Sequence, residues 1–384
     1  MFKIKIYLLL SFFLVLSSSC QQQKSGNQYI DYSTLKEIEV SLDVEIGTQN
    51  GTPFSFGRLR DLMVSDEGYL IVSDVGKTTI EQFSPDGHHL ATIAKQGRAP
   101  GEVASYFTLH EGTHSRLIVR PIGMSNRIDY FKQNKEAIYT FEKSQMIDKN
   151  KDRDISNISP FTDSLYLALT ATRYRSIAQY ASEQSDVFKK QLAVVKNFNA
   201  IIRDSLSPII MPAPLVDLSN NSMNVLGMPP YQYHDRVRVL SNGSYAIARA
   251  DSGKITFYDA NHKPQRSLVL NVKERPVEES DLSYHFNLMN ITDPVIRRKM
   301  KARIPANKPA FLNMWISENY IWLHVDTTQK GKQMVVLNRQ GDPIGTFALS
   351  EYDEIQTIRN SLIYTLNKNP NTGHSIRVYH ADIS

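Results

Sequence analysis

The residues best suited to chemistry are few. His110-Glu111-Gly112-Thr113-His114 carries the H-E-x-x-H spacing of a zinc hydrolase. That chemistry needs a helix, because only the i, i+4 spacing of a helix turns both imidazoles toward one metal. Here the pentapeptide lies between two β-rich runs, Tyr106–Leu109 and Arg116–Val119, with Gly112 inside, so it is expected to be a hairpin turn and not a metal site. Asp148, Asn150, Asp152 and Asp154 alternate as a calcium loop begins. The sixth position is Arg153 in place of Gly and the twelfth is Ser159 in place of Glu. Lys149, Lys151 and Arg153 interleave and would repel a cation. The sequence has no G-x-S-x-G elbow, no phosphate-binding glycine loop and no paired cysteines. No cofactor is implied.

What remains is recognition chemistry. Arg60, Arg98, Arg120, Arg236, Arg238 and Trp315 stand in or beside β-rich runs. Arginine grips carboxylate or phosphate through two parallel N–H bonds, and tryptophan offers a flat face for a sugar. The competing expectation is structural: Arg60 paired with Asp61, Arg98 with Glu102, and Trp315 in the core. His88, His89, His262 and His374 sit beside turns and read as exposed bystanders.

The elements that must position these residues repeat. Arg60–Val64, Tyr69–Asp74, Thr79–Phe83 and His89–Ile93 are four short strands separated by Asp66-Glu67-Gly68, Gly76 and Ser84-Pro85-Asp86-Gly87, the turn chemistry of an antiparallel meander. Similar units recur over Tyr106–Lys143, Ile158–Leu206, Arg236–Leu270 and Tyr320–Phe347. A last one, Ile355–Tyr379, has only three strands. The alternating segment Ile38–Val44 can supply the missing fourth and close a ring, which protects both sheet edges. The sequence therefore predicts an all-β fold, a six-bladed β-propeller of four-stranded blades. The 342 residues from Ile38 to Tyr379 give 57 per blade, against ~40–45 for a compact blade, so insertions are expected. One spans Arg173–Lys190. The other, 274–310, lies between blades 4 and 5. It carries a helix over Val277–Met289 and a second opening at Pro294, capped by Thr292 or Asp293. Arg297, Arg298, Lys299, Lys301 and Arg303 load that second helix with cations, read either as an anion, acidic-glycan or anionic-lipid contact or as a solvated face.

The amino terminus reads as an address. Lys3 and Lys5 precede an apolar stretch from Ile6 to Leu16, then Ser17-Ser18-Ser19 and the chain's single cysteine, Cys20. Residues 1–19 are thus expected to be a secretory signal, the stretch being too short for a spanning helix of ~20 residues. Cys20 resembles the lipidated cysteine of bacterial lipoproteins, although Ser17 stands where that pattern prefers Leu. Residues 20–35 are then a lipid-bearing tether and 36–384 the propeller.

Gly97-Arg98-Ala99-Pro100-Gly101-Glu102-Val103 resembles the G-x-G-P-G-E-F segment of bacterial six-bladed β-propeller lipoproteins of the NHL-repeat-like type, and Ser84-Pro85-Asp86-Gly87 fits the same pattern. Ala99 and Val103 depart from it. The resemblance implies a six-sheet ring in the cell envelope and no defined catalytic set. Formal charge is +5, or +3 without Lys3 and Lys5, too mild and dispersed for nucleic acid. The expected function is a monomeric propeller held on a membrane by an N-terminal lipid, facing the periplasm from the outer membrane and binding a protein partner or glycan. The alternative is a propeller enzyme (a metal-dependent hydrolase, lyase or lactonase) working at the channel mouth.

Overall fold

The computed structural model describes residues 29–47, 54–104, 106–112, 116–121, 127–146, 153–161, 164–172, 187–196, 200–217, 224–240 and 242–383. Residues 1–28, with the expected signal and Cys20, lie outside these. So do Thr113, His114, Asp148, Asn150, Asp152 and most of the expected insertion at 173–190. No described helix is long and apolar enough to cross a membrane.

Six four-stranded antiparallel sheets form the molecule. In chain order, blade 1 is Leu59–Val64, Leu70–Asp74, Thr79–Phe83 and His89–Ala94, and blade 2 is Phe107–Glu111, Arg116–Pro121, Arg127–Gln133 and Tyr139–Met146. Blade 3 is Arg153–Pro160, Leu165–Thr172, Val187–Lys196 and Ala200–Pro212, and blade 4 is Arg236–Val239, Tyr245–Arg249, Lys254–Tyr258 and Pro264–Val269. Blade 5 is Asn313–Ile316, Tyr320–Thr328, Gly331–Asn338 and Pro343–Leu349. Blade 6 takes Asp353–Arg359, Leu362–Asn369 and Gly373–Ala381, completed by Val40–Ile46.

The period-2 alternation of side chains dictates the packing. In blade 1, Ile71 joins Met63 and Ile80 against Phe107, Leu117 and Phe131 of blade 2. Its neighbours Leu70 and Val72 point the other way, to Tyr364, Leu366 and Val378 of blade 6. Strands near the axis are covered on both faces, hence the unbroken burial of Leu70–Asp74. Outer strands such as His89–Ala94 keep one face in water.

The ring closes as the alternation of the amino-terminal segment predicts. Val40 pairs with Ala381 and Ile46 with Ile376, antiparallel, and Glu45 Oε1 accepts from Arg377 Nε at 2.6 Å. Ile46 is buried among Val64, Tyr364 and Ile376. Ahead of this strand, residues at the end of the expected tether are fastened. Ile30 bridges Val272 just past blade 4, Tyr32 is buried, and Glu37 bridges Thr346 in the outer strand of blade 5. Residues 30–38 thus form a strap across the rims of blades 4 and 5.

The insertion between blades 4 and 5 holds α1 (Glu279–Leu288) and α2 (Pro294–Lys301). Asp293 caps α2, its Oδ1 accepting from Val295 N at 2.7 Å with Pro294 at the first helical position, as expected. Unexpected is a hairpin between blades 3 and 4, Leu215–Asp217 paired with Asn224–Gly227. It shares a small core with the helices: Leu215, Leu226, Leu282, Phe286, Ile291 and Met300. A buried polar network ties this body to blade 5. Lys308 Nζ bonds Asp326 Oδ2 at 2.7 Å and Asp281 Oδ1 at 2.9 Å. The Tyr231 hydroxyl donates to Asp326 Oδ1 at 2.9 Å and lies 3.0 Å from His285 Nε2. These bonds hold Tyr231 at φ 59°, a left-handed backbone that a bulky residue rarely adopts.

Candidate functional site: an axial cavity between blades 3 and 4

The inner strands of blades 2, 3 and 4 meet only at the ring axis. There, between blades 3 and 4, a cavity of about 200 Å³ opens. Its apolar wall is Ile158, Leu167, Leu169, Leu192, Val237 and Val239. Its polar lining is His110, Ser159, His234, Asp235, Arg236 and Arg238. Strand alternation places His234, Arg236 and Arg238 on one face and the two valines on the other.

Both arginines are half-buried and make neutral bonds. Arg236 donates from Nε and Nη2 to the Leu312 carbonyl at 3.2 and 2.6 Å, and from Nη1 to His234 Nε2 at 3.2 Å. Guanidinium has no acceptor, so His234 Nε2 must accept, and the imidazole is assigned as neutral with its proton on Nδ1. Burial first, then Arg236, Arg238 and Lys190, push His234 down to about 3. Arg238 donates to the Met314 carbonyl at 2.6 Å, Asn313 Oδ1 at 2.8 Å and the Val237 carbonyl at 3.0 Å, and its guanidinium lies 5.7 Å from the centre of the Trp315 ring.

Among the described residues, no carboxylate forms an ion pair with either arginine. The adjacent Asp235 turns away: its Oδ2 accepts from Ile210 N at 2.8 Å and from Arg249 Nη1. Burial first, then the neighbouring Arg238, push Arg236 down to about 9 against the opposing pull of Asp235, and burial pushes Arg238 down to about 10. Lys190, whose Nζ donates to Ser156 Oγ at 3.0 Å, and Arg120, which donates to the Ile155 carbonyl at 3.0 Å, add positive potential at the same end. Burial and Arg120 together push His110 down to about 4.

Arg238 and Trp315 are thus brought together beside Arg236, whereas Arg120 and Trp315 are not among the residues that line the cavity. Trp315 is itself buried in the core cluster shared by blades 5 and 6. Arg60 lies apart on blade 1, its Nε 4.0 Å from Asp61 Oδ2, which also accepts from Leu109 N of blade 2 at 3.2 Å. Arg98 is exposed on the connector between blades 1 and 2. There Glu102 Oε2 accepts from Ala99 N at 2.8 Å, while Arg127 clamps the Arg98 and Glu102 carbonyls at 2.7 and 2.8 Å. His110 and Glu111 occupy a strand, where neighbouring side chains point to opposite faces; Glu111 pairs with Arg359 at 3.2 Å. Among the described residues no group of three or more His, Cys, Asp or Glu side chains is placed to hold a metal. His89, His262 and His374 are not bystanders: the first lies 2.9 Å from Glu81 Oε2 and stacks on Phe54, the second stacks on Phe161 at 5.3 Å, and Nδ1 of the third accepts from Leu59 N at 3.3 Å. The overlooked residue is His234. The alternation H-x-R-x-R over 234–238, which puts three nitrogen-rich side chains on one strand face, was its signal.

Fold and site together define a six-bladed β-propeller with a cationic axial cavity. No family model matches the chain, and no curated protein matches it. Several solved structures superpose on it, each with a TM-score below 0.5. A member of the DUF4221 family from Bacteroides vulgatus superposes with a TM-score of 0.48 at 10% identity, over 91% of this chain and 99% of that one. Virginiamycin B lyase from Staphylococcus aureus gives 0.41 at 9%, over 90% and 99%. BamB from Moraxella catarrhalis gives 0.35 at 10%, over 90% and 99%.

Proposed function

We propose that the protein is a lipid-anchored module of the cell envelope whose propeller binds an anionic group of a partner protein or glycan at the axial cavity. The observation that carries this reading is the pair Arg236 and Arg238, two half-buried cations with no carboxylate paired to them. Proteins rarely leave such charges uncompensated, and an entering carboxylate supplies the missing counter-charge in a water-poor setting. A charge-assisted bond contributes about 1.5–3 kcal/mol, so two of them hold a lone carboxylate near the millimolar range. The metal-dependent enzyme reading has no donor set among the described residues.

The test is thermal melting with sodium acetate against sodium chloride at equal ionic strength. Acetate is expected to raise the melting temperature of the parent and not that of R236Q/R238Q. Equal shifts in the two proteins defeat the reading. Anchoring has its own test: Cys20→Ala is expected to move the protein from the membrane fraction to the soluble fraction, and retention in the membrane defeats it.

A further inference from the structure

The strap and the helical insertion share one base. Ile30 N donates to the Asn271 carbonyl at 2.8 Å, Asp31 pairs with Lys273 at 2.9 Å, and the Tyr32 hydroxyl donates to the Ala310 carbonyl at 3.0 Å. Lys273 and Ala310 are the two roots of the insertion. The chain leading to Cys20 therefore leaves the fold beside these roots. Eight residues separate Cys20 from Tyr29. At no more than ~3.3–3.6 Å per residue, Cys20 lies within roughly 30 Å of the insertion's base.

The surface above that base has a mixed character. Met300 and Ile296 of α2 turn inward, while Val295, Arg298 and Lys299 face water. Among the described residues, neither Arg298 nor Lys299 has a side-chain partner; Lys301, by contrast, pairs with Glu279. Exposed apolar side chains gather on the same small body: Leu288 and Met289 at the end of α1, Val295, and Val225 and Met228 at the hairpin, with Val225 63% exposed. The hairpin is pressed close to α2, since a Cβ on Gly227 would stand 2.7 Å from Met300 Cε. Exposed apolar groups interleaved with free cations are the composition of a surface that settles into an anionic lipid interface, where each cation adds about 1 kcal/mol.

We infer that the helical insertion is a foot that rests on the anionic headgroups of the bilayer holding the N-terminal lipid. Charge complementarity and the short reach from Cys20 select this occupant over a soluble acidic partner. The inference rests on the anchoring reading only for the proximity of the bilayer; the surface's own affinity is independent of it. The test therefore uses residues 20–384 with Cys20→Ala, which carry no lipid. The protein is sedimented with vesicles of phosphatidylcholine alone, or of phosphatidylcholine and phosphatidylglycerol mixed two to one. It is expected to bind the mixed vesicles and not the neutral ones, and R298E/K299E is expected to lose at least ~10-fold in binding, following the ~1 kcal/mol per cation at such a surface. Both substituted residues are exposed, so an unchanged melting temperature confirms that the variant is folded. Equal binding to both vesicle types, or no loss in R298E/K299E, overturns the inference. A Cys20 found without acyl chains would defeat the anchoring reading alone, because this vesicle result does not depend on it.

Discussion

Lys308→Met is the most informative single perturbation of the fold. The Lys308 side chain is only 9% exposed and serves two carboxylates, Asp281 at 16% and Asp326 at 12%. Methionine keeps the length of the aliphatic stem and deletes the charge. Asp326 would retain the Tyr231 hydroxyl and Thr327 N at 2.8 Å, and Asp281 would retain Glu278 N at 3.0 Å. Neither would retain a cation. Breaking a buried pair by removing one partner costs about 3–5 kcal/mol, because an uncompensated charge stays behind. The chain's two tryptophans both lie in blade 5, Trp322 on the strand that carries Asp326 and Trp315 on the strand paired with it, so their fluorescence in a urea titration reads the affected region directly. Substituting both carboxylates as well, in K308M/D281N/D326N, removes the stranded charges and should recover most of the loss. A K308M variant within about 1 kcal/mol of the parent, or a triple variant no better than K308M, would refute the argument.

Three further outcomes are expected. Ile46→Ala, in the strand that closes the ring, should cost about 2–5 kcal/mol by urea denaturation and raise hydrogen exchange across blades 6 and 1 together; a change confined to residues 40–46 would mean that closure is not cooperative. At Gly97, an added Cβ would stand 1.9 Å from Glu102 Oε2, so Gly97→Ala should displace that carboxylate from Ala99 N at about 1 kcal/mol, with G97A/E102A no worse than G97A. His110, His234 and His324 are held down to about 4, 3 and 4 by burial, so the unfolded chain takes up protons near 6.5 that the fold refuses. Stability should accordingly fall as pH drops from about 6.5 toward 4, by at most about 1.4 kcal/mol per pH unit per histidine, and a urea midpoint that stays flat from pH 7 to pH 5 would contradict this.

Much of the ring was legible in the sequence because its signals are local. Each blade announces itself by alternating apolar residues and by turns such as Ser84–Gly87, where Gly87 takes φ 91°. The three-stranded remainder at the carboxyl end and the spare alternating segment at the amino end required each other. The helices of the insertion were readable from Asp293-Pro294 and the spacing of Ile296 and Met300. The hairpin at 215–227 was not, because it is two short strands set among prolines and stabilised by helices sixty or more residues away. For the same reason the polar network could not be read: Tyr231, Asp281, Lys308 and Asp326 converge from four separate stretches. At the cavity the two arginines were legible as candidates, but that no carboxylate among the described residues forms an ion pair with them is a fact of three dimensions. Asp235, the nearest acid in sequence, faces Arg249 instead.

The central claim is that Arg236 and Arg238 await an anion at the axis. Diffraction from crystals grown with 4-bromobenzoate tests it most directly, since the unreactive aryl bromide carries an anomalous signal that marks the bound carboxylate. The account predicts a bromine peak inside the cavity between blades 3 and 4, with the carboxylate within hydrogen-bond distance of Arg236 or Arg238, and no such peak in R236Q/R238Q. A cavity that holds only water in the parent under saturating 4-bromobenzoate would contradict it.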